Sequence, residues 1–148
     1  MNKKILLING PNLNMLGKRE NRFYGNETLL EVETLVTEKC KKNFFEISIF
    51  QSNIEGEICT FIQQNLSVCG IIINAGAYAH TSIAIFDSLN IAKNINPSII
   101  IVEVHLSNTQ KREQFRQQSY VSKVADSVII GMKKDGYLYA ADFIINNI

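Results

Sequence analysis

Short apolar runs alternate with amphipathic segments along the whole chain. Five of these runs predict strands, and most are continuous and rich in branched residues, which is typical of strands buried on both faces. The predicted strands are residues 5–8, 44–50, 70–73, 98–104 and 127–130. In 44–50, aromatic residues occupy both alternating sets of positions, so we place this strand near a sheet edge.

The segments between the strands have the spacing of helices that bury one face. The predicted helical segments are residues 28–42, 52–66, 82–94, 111–118 and 136–145. Thr28 with Glu31, and Ser52 with Glu55, have the spacing of a capping box, in which each side chain bonds to the other residue's backbone. These two pairs therefore predict where the first two helices begin.

Alternation of strands and helices predicts an α/β fold with a doubly wound parallel sheet and right-handed crossovers. Five strands suit the flavodoxin-like order 2-1-3-4-5, whose switch point lies between the first and third strands. Ligands bind at such switch points, outside the carboxyl ends of the strands. With 148 residues and no repeat or linker composition, the chain is expected to form a single domain over 1–148.

The segment 12–26 is polar and basic and has no sustained hydrophobic period. A loop of this length is uncommon in a compact domain and is usually functional. It follows the first strand, so it is expected beside the loop 74–80 that follows the third. Thr81 or Ser82 can cap the helix after that loop, and the fourth strand delivers His105 to the same edge.

The composition of the chain argues against several classes of function. The chain is 46% hydrophobic and 20% charged, and its net charge of +1 gives no reason to expect a nucleic-acid or membrane partner. Three cysteines without C-x-x-C spacing predict a reduced, cytoplasmic chain. The apolar run near the start is too short for a signal peptide, and no segment reaches transmembrane length. Glycine motifs that bind phosphates are absent.

Two pairs of residues could move protons. Tyr24 is a candidate general base because an adjacent guanidinium, that of Arg19, would stabilise its phenolate form. The alternative is a surface tyrosine that anchors the loop. Alternation places Glu103 and His105 on one side of the fourth strand. A carboxylate beside an imidazole fixes its tautomer and favours its charged form, which suits a general acid. The alternative is a partly buried histidine satisfied by the backbone.

Other polar residues near this edge could bind a ligand. Asn74 and His80 could bond hydroxyls or a carboxylate, or could simply order the loop. Arg112 and Arg116 have i, i+4 spacing on the predicted basic helix 111–118, where they could clamp an anion or form a solvated face. The histidines lack the spacing of common metal motifs, so a metal site is the weaker alternative.

Motifs spread over the chain, each weak alone, together resemble one family. They are NGPNLNMLG at 9–17, RE at 19–20, YG at 24–25, QSNIEG at 51–56, NAGAYAHTS at 74–82, EVHLSN at 103–108 and REQFR at 112–116. Their order and spacing make the combination highly specific. Over its whole length the chain resembles type II 3-dehydroquinate dehydratase.

The resemblance implies a hydro-lyase without metal or cofactor. It would remove water from 3-dehydroquinate by anti elimination through an enolate, giving 3-dehydroshikimate in the shikimate pathway of aromatic biosynthesis. It implies that Tyr24 takes the C2 proton, that Arg19 activates Tyr24, and that Asn12 holds the water or oxygen that stabilises the enolate. His105, oriented by Glu103, would protonate the departing C1 hydroxyl.

The resemblance also implies a substrate clamp and an assembly, a dodecamer built from trimers. The residues of the clamp would be Asn74, His80, Leu106 (through its backbone), Ser107 and Arg116. Asp87 matches the family residue that reaches into a neighbouring subunit's site. Two departures from the family pattern are Phe86, where many members carry arginine, and Thr109-Gln110-Lys111 after the fourth strand.

Two other hypotheses compete with this one. A binding module for a small hydroxy-carboxylate would bind the ligand without turnover, but binding alone needs neither a base nor an acid. A Schiff-base dehydratase would perform the same reaction on a barrel fold, for which about 250 residues are typical. The chain is too short for that barrel.

Overall fold

The computed structural model describes residues 2–148, which form one five-stranded parallel sheet covered by helices. The strands are β1 (Lys4–Asn9), β2 (Glu46–Gln51), β3 (Gly70–Asn74), β4 (Ile100–His105) and β5 (Ser127–Ile130). Their order is β2-β1-β3-β4-β5, and every neighbouring pair is parallel. The predicted order 2-1-3-4-5 is confirmed, and β2 lies at the sheet edge as expected.

Helices cover both faces of this sheet. They are α1 (Asn21–Tyr24), α2 (Leu29–Lys42), α3 (Glu55–Gln63), α4 (Ile83–Ile95) and α5 (Lys134–Asn146). Along β1, Ile5 and Leu7 pack in the core formed with α2 and α5, whereas Leu6 and Ile8 pack in the core formed with α3 and α4. The helices described within residues 2–148 are all too short or too polar to cross a membrane.

Polar side chains fix the starts of two helices as the sequence predicts. The backbone N–H of Thr28 donates to Glu31 Oε2 at 2.9 Å, and the backbone N–H of Glu31 donates to Thr28 Oγ1 at 3.2 Å. This reciprocal pair confirms the first capping box. Ser82, rather than Thr81, caps α4, because its Oγ accepts from the backbone N–H of Ile85 at 2.9 Å.

The second predicted capping box, from Ser52 and Glu55, is wrong. Ile54 is the N-cap residue of α3, and its side chain makes no capping bond. Ser52 still belongs to the sheet edge, since its backbone N–H donates to the carbonyl of Asn9 at 3.1 Å. Its hydroxyl accepts from the backbone N–H of Ile54 and donates to Glu57, so it orders the turn before the helix.

The predicted helix 111–118 is also wrong. Two short 3₁₀ turns, Thr109–Lys111 and Gln114–Arg116, occupy this region, and Arg112 between them is extended. The only apolar residue of 111–118 is Phe115, which is 67% exposed. The segment therefore lacks an apolar stripe to hold a helix against the sheet, and local propensity alone rarely sustains so short a helix.

Other element boundaries move by at most three residues, the largest change being at the end of α3, which is Gln63 rather than residue 66. Phe44 was expected to open β2, but it has a φ of 62° and is 87% exposed, so it belongs to the turn after α2. The fourth strand begins at Ile100 rather than residue 98 and extends to His105. Because the strand includes this last residue, the sheet itself holds both Glu103 and His105.

The carboxyl ends of β1 and β3 lie side by side. Asn9 and Asn74 are opposite each other in the register, and the backbone N–H of Gly10 donates to the carbonyl of Asn74 at 2.7 Å. A Cβ atom on Gly10 would lie 2.2 Å from the carbonyl oxygen of Ala75. Only glycine fits at this point, where the two strands deliver their loops to the switch point.

A buried tyrosine joins these two strand ends. The hydroxyl of Tyr137, on α5, donates to Asn9 Oδ1 at 2.6 Å and accepts from Asn74 Nδ2 at 2.9 Å. Burial raises the pKa of Tyr137, so the hydroxyl stays protonated and keeps its donor. Since Asn74 Oδ1 also accepts from the backbone N–H of Gly76, the Asn74 side chain is held from both ends.

The capping box predicts the effect of Thr28→Ala on stability. We expect the free energy of unfolding to fall by about 1 kcal/mol, because the backbone N–H of Glu31 loses its acceptor. Thr34→Ala is the matched control, since Thr34 lies exposed in the middle of the same helix, where alanine is the better helix former. Urea unfolding at fixed protein concentration measures both; equal losses in the two variants would contradict the assignment.

The tyrosine bridge predicts a larger loss for Tyr137→Phe. Removing the hydroxyl leaves buried groups of Asn9 and Asn74 without this partner, at a cost of roughly 1–3 kcal/mol in the free energy of unfolding. Tyr139→Phe is the control, because Tyr139 lies two residues along the same helix and is 53% exposed. Urea unfolding should separate the two variants, and a Tyr137→Phe protein as stable as the control would refute the bridge.

Candidate active site

A cleft of about 560 Å³, open to solvent, lies at the carboxyl ends of β1, β3 and β4. This is the switch point of the sheet, where α/β proteins bind small ligands. Nine predicted site residues line the cleft: Asn12, Arg19, Tyr24, Asn74, His80, His105, Leu106, Ser107 and Arg116. The topology thus brings together residues as far apart in the sequence as Asn12 and Arg116.

Two predicted site residues do not line this cleft. Glu103 is fully buried behind His105 and reaches the cleft only through that imidazole. Asp87 lies on the exposed side of α4, away from the cleft of its own chain. The position of Glu103 behind His105 agrees with a role in orienting that imidazole. The exposed position of Asp87 leaves its side chain accessible to another molecule.

The hydroxyl of Tyr24 lies between two guanidinium groups. Arg19 Nη2 donates to it at 3.0 Å, and Arg112 Nη1 donates to it at 2.7 Å. The Arg19 guanidinium also lies over the Tyr24 ring, 4.0 Å from the centroid. Two cationic donors therefore place positive charge directly beside the phenolic oxygen.

The contact between Arg112 and Tyr24 was not predicted. The sequence analysis paired Arg112 with Arg116 on one face of a helix, but the extended backbone at Arg112 sends its side chain to Tyr24 and to Ser107 Oγ, at 3.3 Å. The guanidinium also stacks over the ring of Phe23, 4.3 Å from the centroid. The one sequence signal was the lack of an apolar stripe in 111–118, which disfavoured a continuous helix.

Glu103 orients His105 from within the core. His105 Nε2 donates to Glu103 Oε1 at 2.6 Å, which confirms that the two side chains share one side of β4. The hydroxyls of Ser119 and Ser122 donate to Oε1 and Oε2 of the same carboxylate. Burial alone raises the pKa of Glu103, but the bonds from His105 and the serines outweigh it and lower that pKa overall. The carboxylate is therefore ionised, and the sequence analysis missed both serines.

His80 is held in one tautomer beside His105. Its Nδ1 lies 2.7 Å from the carbonyl oxygen of Gln118, which can only accept, so Nδ1 carries the proton. The two imidazole rings are stacked with centroids 5.9 Å apart. Burial lowers the pKa of His80, with a further contribution from the neighbouring His105. His80 is thus kept neutral, and its Nε2 can accept a hydrogen bond.

Asn12 adopts a strained backbone conformation at the mouth of the cleft. Its φ is 67°, in the left-handed region that few residues other than glycine and asparagine tolerate. Its backbone N–H donates to Asn53 Oδ1 at 2.9 Å, and the carbonyl of Asn53 accepts from the Tyr78 hydroxyl at 2.6 Å. Asn53 therefore ties the loop after β1 to the loop after β3 and holds Asn12 in place.

Arg116 supplies a third guanidinium to the cleft. Its Nε donates to Glu113 Oε2 at 2.6 Å, and this carboxylate is itself half exposed. Three arginines line the cleft, whereas the nearest acidic side chain at its rim is already paired. The cleft is thus suited to a small anionic ligand with hydroxyl groups that Asn74, Ser107 and the histidines can bond.

Metal binding and thiol chemistry find little support in the geometry. Within residues 2–148, no three side chains of His, Cys, Asp or Glu lie close enough to bind one metal ion. Cys40 and Cys69 are buried, and burial raises the pKa of the Cys40 thiol to about 11. A thiol of this kind is a poor nucleophile near neutral pH.

Comparisons with known proteins identify the family. The family model described as dehydroquinase class II matches residues 3–145. The chain is 48% identical to a 3-dehydroquinate dehydratase of Bartonella bacilliformis, over 97% of this chain and 89% of the relative. The type II dehydroquinase structure from Butyrivibrio crossotus is 43% identical with a TM-score of 0.90, covering 95% of this chain and 96% of its own. That from Propionibacterium acnes is 32% identical with a TM-score of 0.88, covering 99% and 98%. The chain therefore belongs to the class II dehydroquinase family.

Proposed function

We propose that this chain is a 3-dehydroquinate dehydratase that converts 3-dehydroquinate to 3-dehydroshikimate within a single domain. The observation that carries the proposal is the presence, in one cleft, of a phenol between two guanidinium groups and an imidazole on a buried carboxylate. A module that only binds hydroxy-carboxylates would gain nothing from either arrangement. Both are the features of a base and an acid that work on one substrate.

The first step is removal of the C2 proton by the Tyr24 phenolate. The electrons of the C–H bond delocalise into the neighbouring carbonyl and form an enolate. Arg19 and Arg112 stabilise the phenolate before transfer, at 3.0 Å and 2.7 Å from its oxygen. Asn12, held by Asn53 at the mouth of the cleft, holds the water or oxygen that stabilises the enolate.

The second step is loss of the C1 hydroxyl as water. Its leaving oxygen takes a proton from His105 while the enolate collapses to the new carbon–carbon double bond. Because His105 Nε2 is bonded to Glu103, the nitrogen that faces the substrate is Nδ1, which has no hydrogen-bond partner within residues 2–148. Tyr24 and His105 come from different elements, which suits a base and an acid on opposite faces of the substrate.

The remaining cleft residues bind the substrate. Asn74, His80, Ser107, the Leu106 backbone and Arg116 provide the hydrogen bonds to its hydroxyls and carboxylate. Neutral His80 can accept from a hydroxyl through Nε2, and Asn74 is preorganised by its bonds to Tyr137 and Gly76. Preorganised donors and acceptors of this kind reduce the ordering cost of binding.

We also propose a dodecamer of trimers in which Asp87 completes a neighbouring subunit's site. The exposed position of Asp87 on α4, outside its own cleft, supports a role between subunits. Phe86 is half-buried and occupies the position where many family members carry arginine, so Asp87 would act there without an adjacent arginine. The three free cysteines agree with a reducing compartment, which we propose to be the cytoplasm.

Turnover of 3-dehydroquinate tests the proposal directly. The purified protein should generate the ultraviolet absorbance of a conjugated enone, and turnover should persist in excess chelator. Tyr24→Phe should lower kcat by about 10²–10⁴-fold, because no other group takes the proton, while substrate binding measured by calorimetry is largely kept. Tyr139→Phe is the control, since this exposed hydroxyl lies outside the cleft, and it should retain wild-type kcat.

Different failures of this experiment have different meanings. Folded wild-type protein that binds 3-dehydroquinate without turnover would leave a binding module as the better description. Wild-type kcat in Tyr24→Phe would exclude Tyr24 as the base while keeping the activity. A covalent adduct trapped by borohydride with substrate would instead indicate Schiff-base chemistry.

The role of Asp87 is tested by complementation between variants. Asp87→Asn alone should lower kcat/KM by at least about tenfold, through loss of a charged hydrogen bond. Tyr24→Phe and Asp87→Asn chains, co-expressed with different tags and purified as mixed assemblies, should regain activity in about a quarter of their sites. No recovery in mixed assemblies, or wild-type kcat/KM in Asp87→Asn, would remove Asp87 from the neighbouring site. Light scattering of the wild type measures the subunit number.

A further inference from the structure

Residues 118–122 lie outside the cleft and bond to His80 and to Glu103, the partner of His105. The carbonyl of Gln118 accepts from His80 Nδ1 at 2.7 Å. The hydroxyl of the next residue, Ser119, donates to Glu103 Oε1. This is the oxygen that also accepts from His105 Nε2. Two adjacent residues thus set the surroundings of both imidazoles.

Backbone contacts hold this segment firmly. The backbone N–H of Tyr120 donates to the carbonyl of Ala79 at 2.8 Å, which ties the segment to the turn that carries His80. Val121 is fully buried against the sheet. The backbone N–H of Ser122 donates to Ser119 Oγ at 3.3 Å, which fills an acceptor position of that hydroxyl. The hydroxyl hydrogen of Ser119 is therefore directed at Glu103.

We propose that Ser119 is a positioning residue for the general acid, which limits how strongly Glu103 holds the proton of His105 by sharing its Oε1 atom. The proposal rests on the function proposed above and deepens it. Ser119 touches neither the cleft nor the substrate, so it acts through Glu103 and His105. It carries no motif that the sequence analysis recognised.

The physical basis is the division of one buried negative charge among its donors. Glu103 is fully buried, and its Oε1 serves two of them, His105 and Ser119. Without Ser119, Glu103 Oε1 interacts more strongly with the imidazolium form of His105. That form becomes more stable and is a weaker acid. A weaker acid transfers its proton to the leaving hydroxyl more slowly. Loss of Ser119 should therefore slow catalysis and extend it to higher pH.

Other charged or titratable groups around His105 stay in place when Ser119 changes. They are His80 on the 76–80 turn, Arg112 and Arg116 from 109–116, and Arg19 and Tyr24 across the cleft. Within residues 2–148, Ser119 makes no side-chain hydrogen bond to any of them. A change in pH profile after substitution at Ser119 is therefore assigned to Glu103 and His105.

Ser122 offers a matched control on the same carboxylate. Its hydroxyl donates to Oε2, the oxygen that His105 does not use. Ser119→Ala and Ser122→Ala thus remove the same chemical group from the same buried charge and should lower Tm to a similar extent. Only Ser119→Ala removes the donor that shares Glu103 Oε1 with His105.

The test compares pH profiles of kcat for the wild type, Ser119→Ala, Ser122→Ala and Ser119→Thr. Ser119→Ala should lower kcat by about twofold to threefold and move the alkaline limb up by about half a pH unit, with KM within about twofold. Ser122→Ala should move the alkaline limb less than half as far as Ser119→Ala does. Ser119→Thr keeps the hydroxyl at a partly exposed site and should restore both kcat and the limb.

Several results would overturn the proposal. An unmoved alkaline limb in Ser119→Ala, with a loss of Tm like that of Ser122→Ala, would leave Ser119 a structural role only. Equal shifts in the two alanine variants, or no rescue by threonine, would also refute it, because the shared oxygen would then be irrelevant.

A second measurement separates this proposal from the proposed activity. The chain has two histidines, so nitrogen-15 labelling of histidine gives two sets of ring signals, which His80→Gln assigns. In unliganded Ser119→Ala protein the His105 ring should titrate at higher pH than in the wild type. An inactive wild type would refute the lyase function alone, and the ring titration would still decide for or against Ser119.

Discussion

One buried carboxylate constrains the histidine side of the cleft. Glu103 is fully buried in β4, in the middle of a parallel sheet that is otherwise apolar at that depth. An ionised group at such a site is tolerated only when hydrogen bonds replace the lost water. Its donors come from β4 itself, through His105, and from 119–122, through two serines. The requirement to satisfy this charge therefore fixes where the 117–125 region runs.

The constraint extends to the second histidine. Because the region 117–125 must reach Glu103, the carbonyl of Gln118 is brought to His80 and selects its tautomer. The stacked imidazoles then have different partners, a backbone carbonyl for His80 and the buried carboxylate of Glu103 for His105. Burial also lowers the pKa of His80. One segment of backbone thus places two rings of the same residue type in different surroundings.

The tyrosine side of the cleft is built on positive rather than negative charge. Two cations reach the Tyr24 hydroxyl from two directions, Arg19 within its own loop and Arg112 from beyond β4. The guanidiniums are held by stacking on aromatic rings as well as by hydrogen bonds. Aromatic packing therefore helps to place this positive charge beside the Tyr24 hydroxyl.

The sequence was sufficient for the sheet and for Tyr24, Asn74, His80 and His105 in the cleft, because these follow from local patterns. Asn12, Leu106 and Ser107 were expected there only from the family resemblance. The hydrophobic period and the branched side chains identify the strands. In a parallel sheet, the carboxyl ends of these strands then lie at the same edge. Contacts that depend on tertiary structure could not be found this way. Arg112 was assigned to a helix face because charged residues four apart satisfy helical spacing, although no apolar stripe supports it. Ser119 and Tyr137 have no signature, since a hydroxyl is informative only once its partner is known.

The polar cluster at the ends of β1 and β3 points to function rather than to stability. Tyr137, Asn9 and Asn74 place three hydrogen-bonding side chains in the core, and Asn9 Nδ2 has no hydrogen-bond partner within residues 2–148. A buried donor in this condition costs about 1–3 kcal/mol, whereas apolar side chains of similar shape would cost nothing of the kind. Stability alone would favour the apolar set. What the polar set provides is an Asn74 amide held in one orientation at the floor of the cleft, which agrees with the ligand-binding role proposed for Asn74.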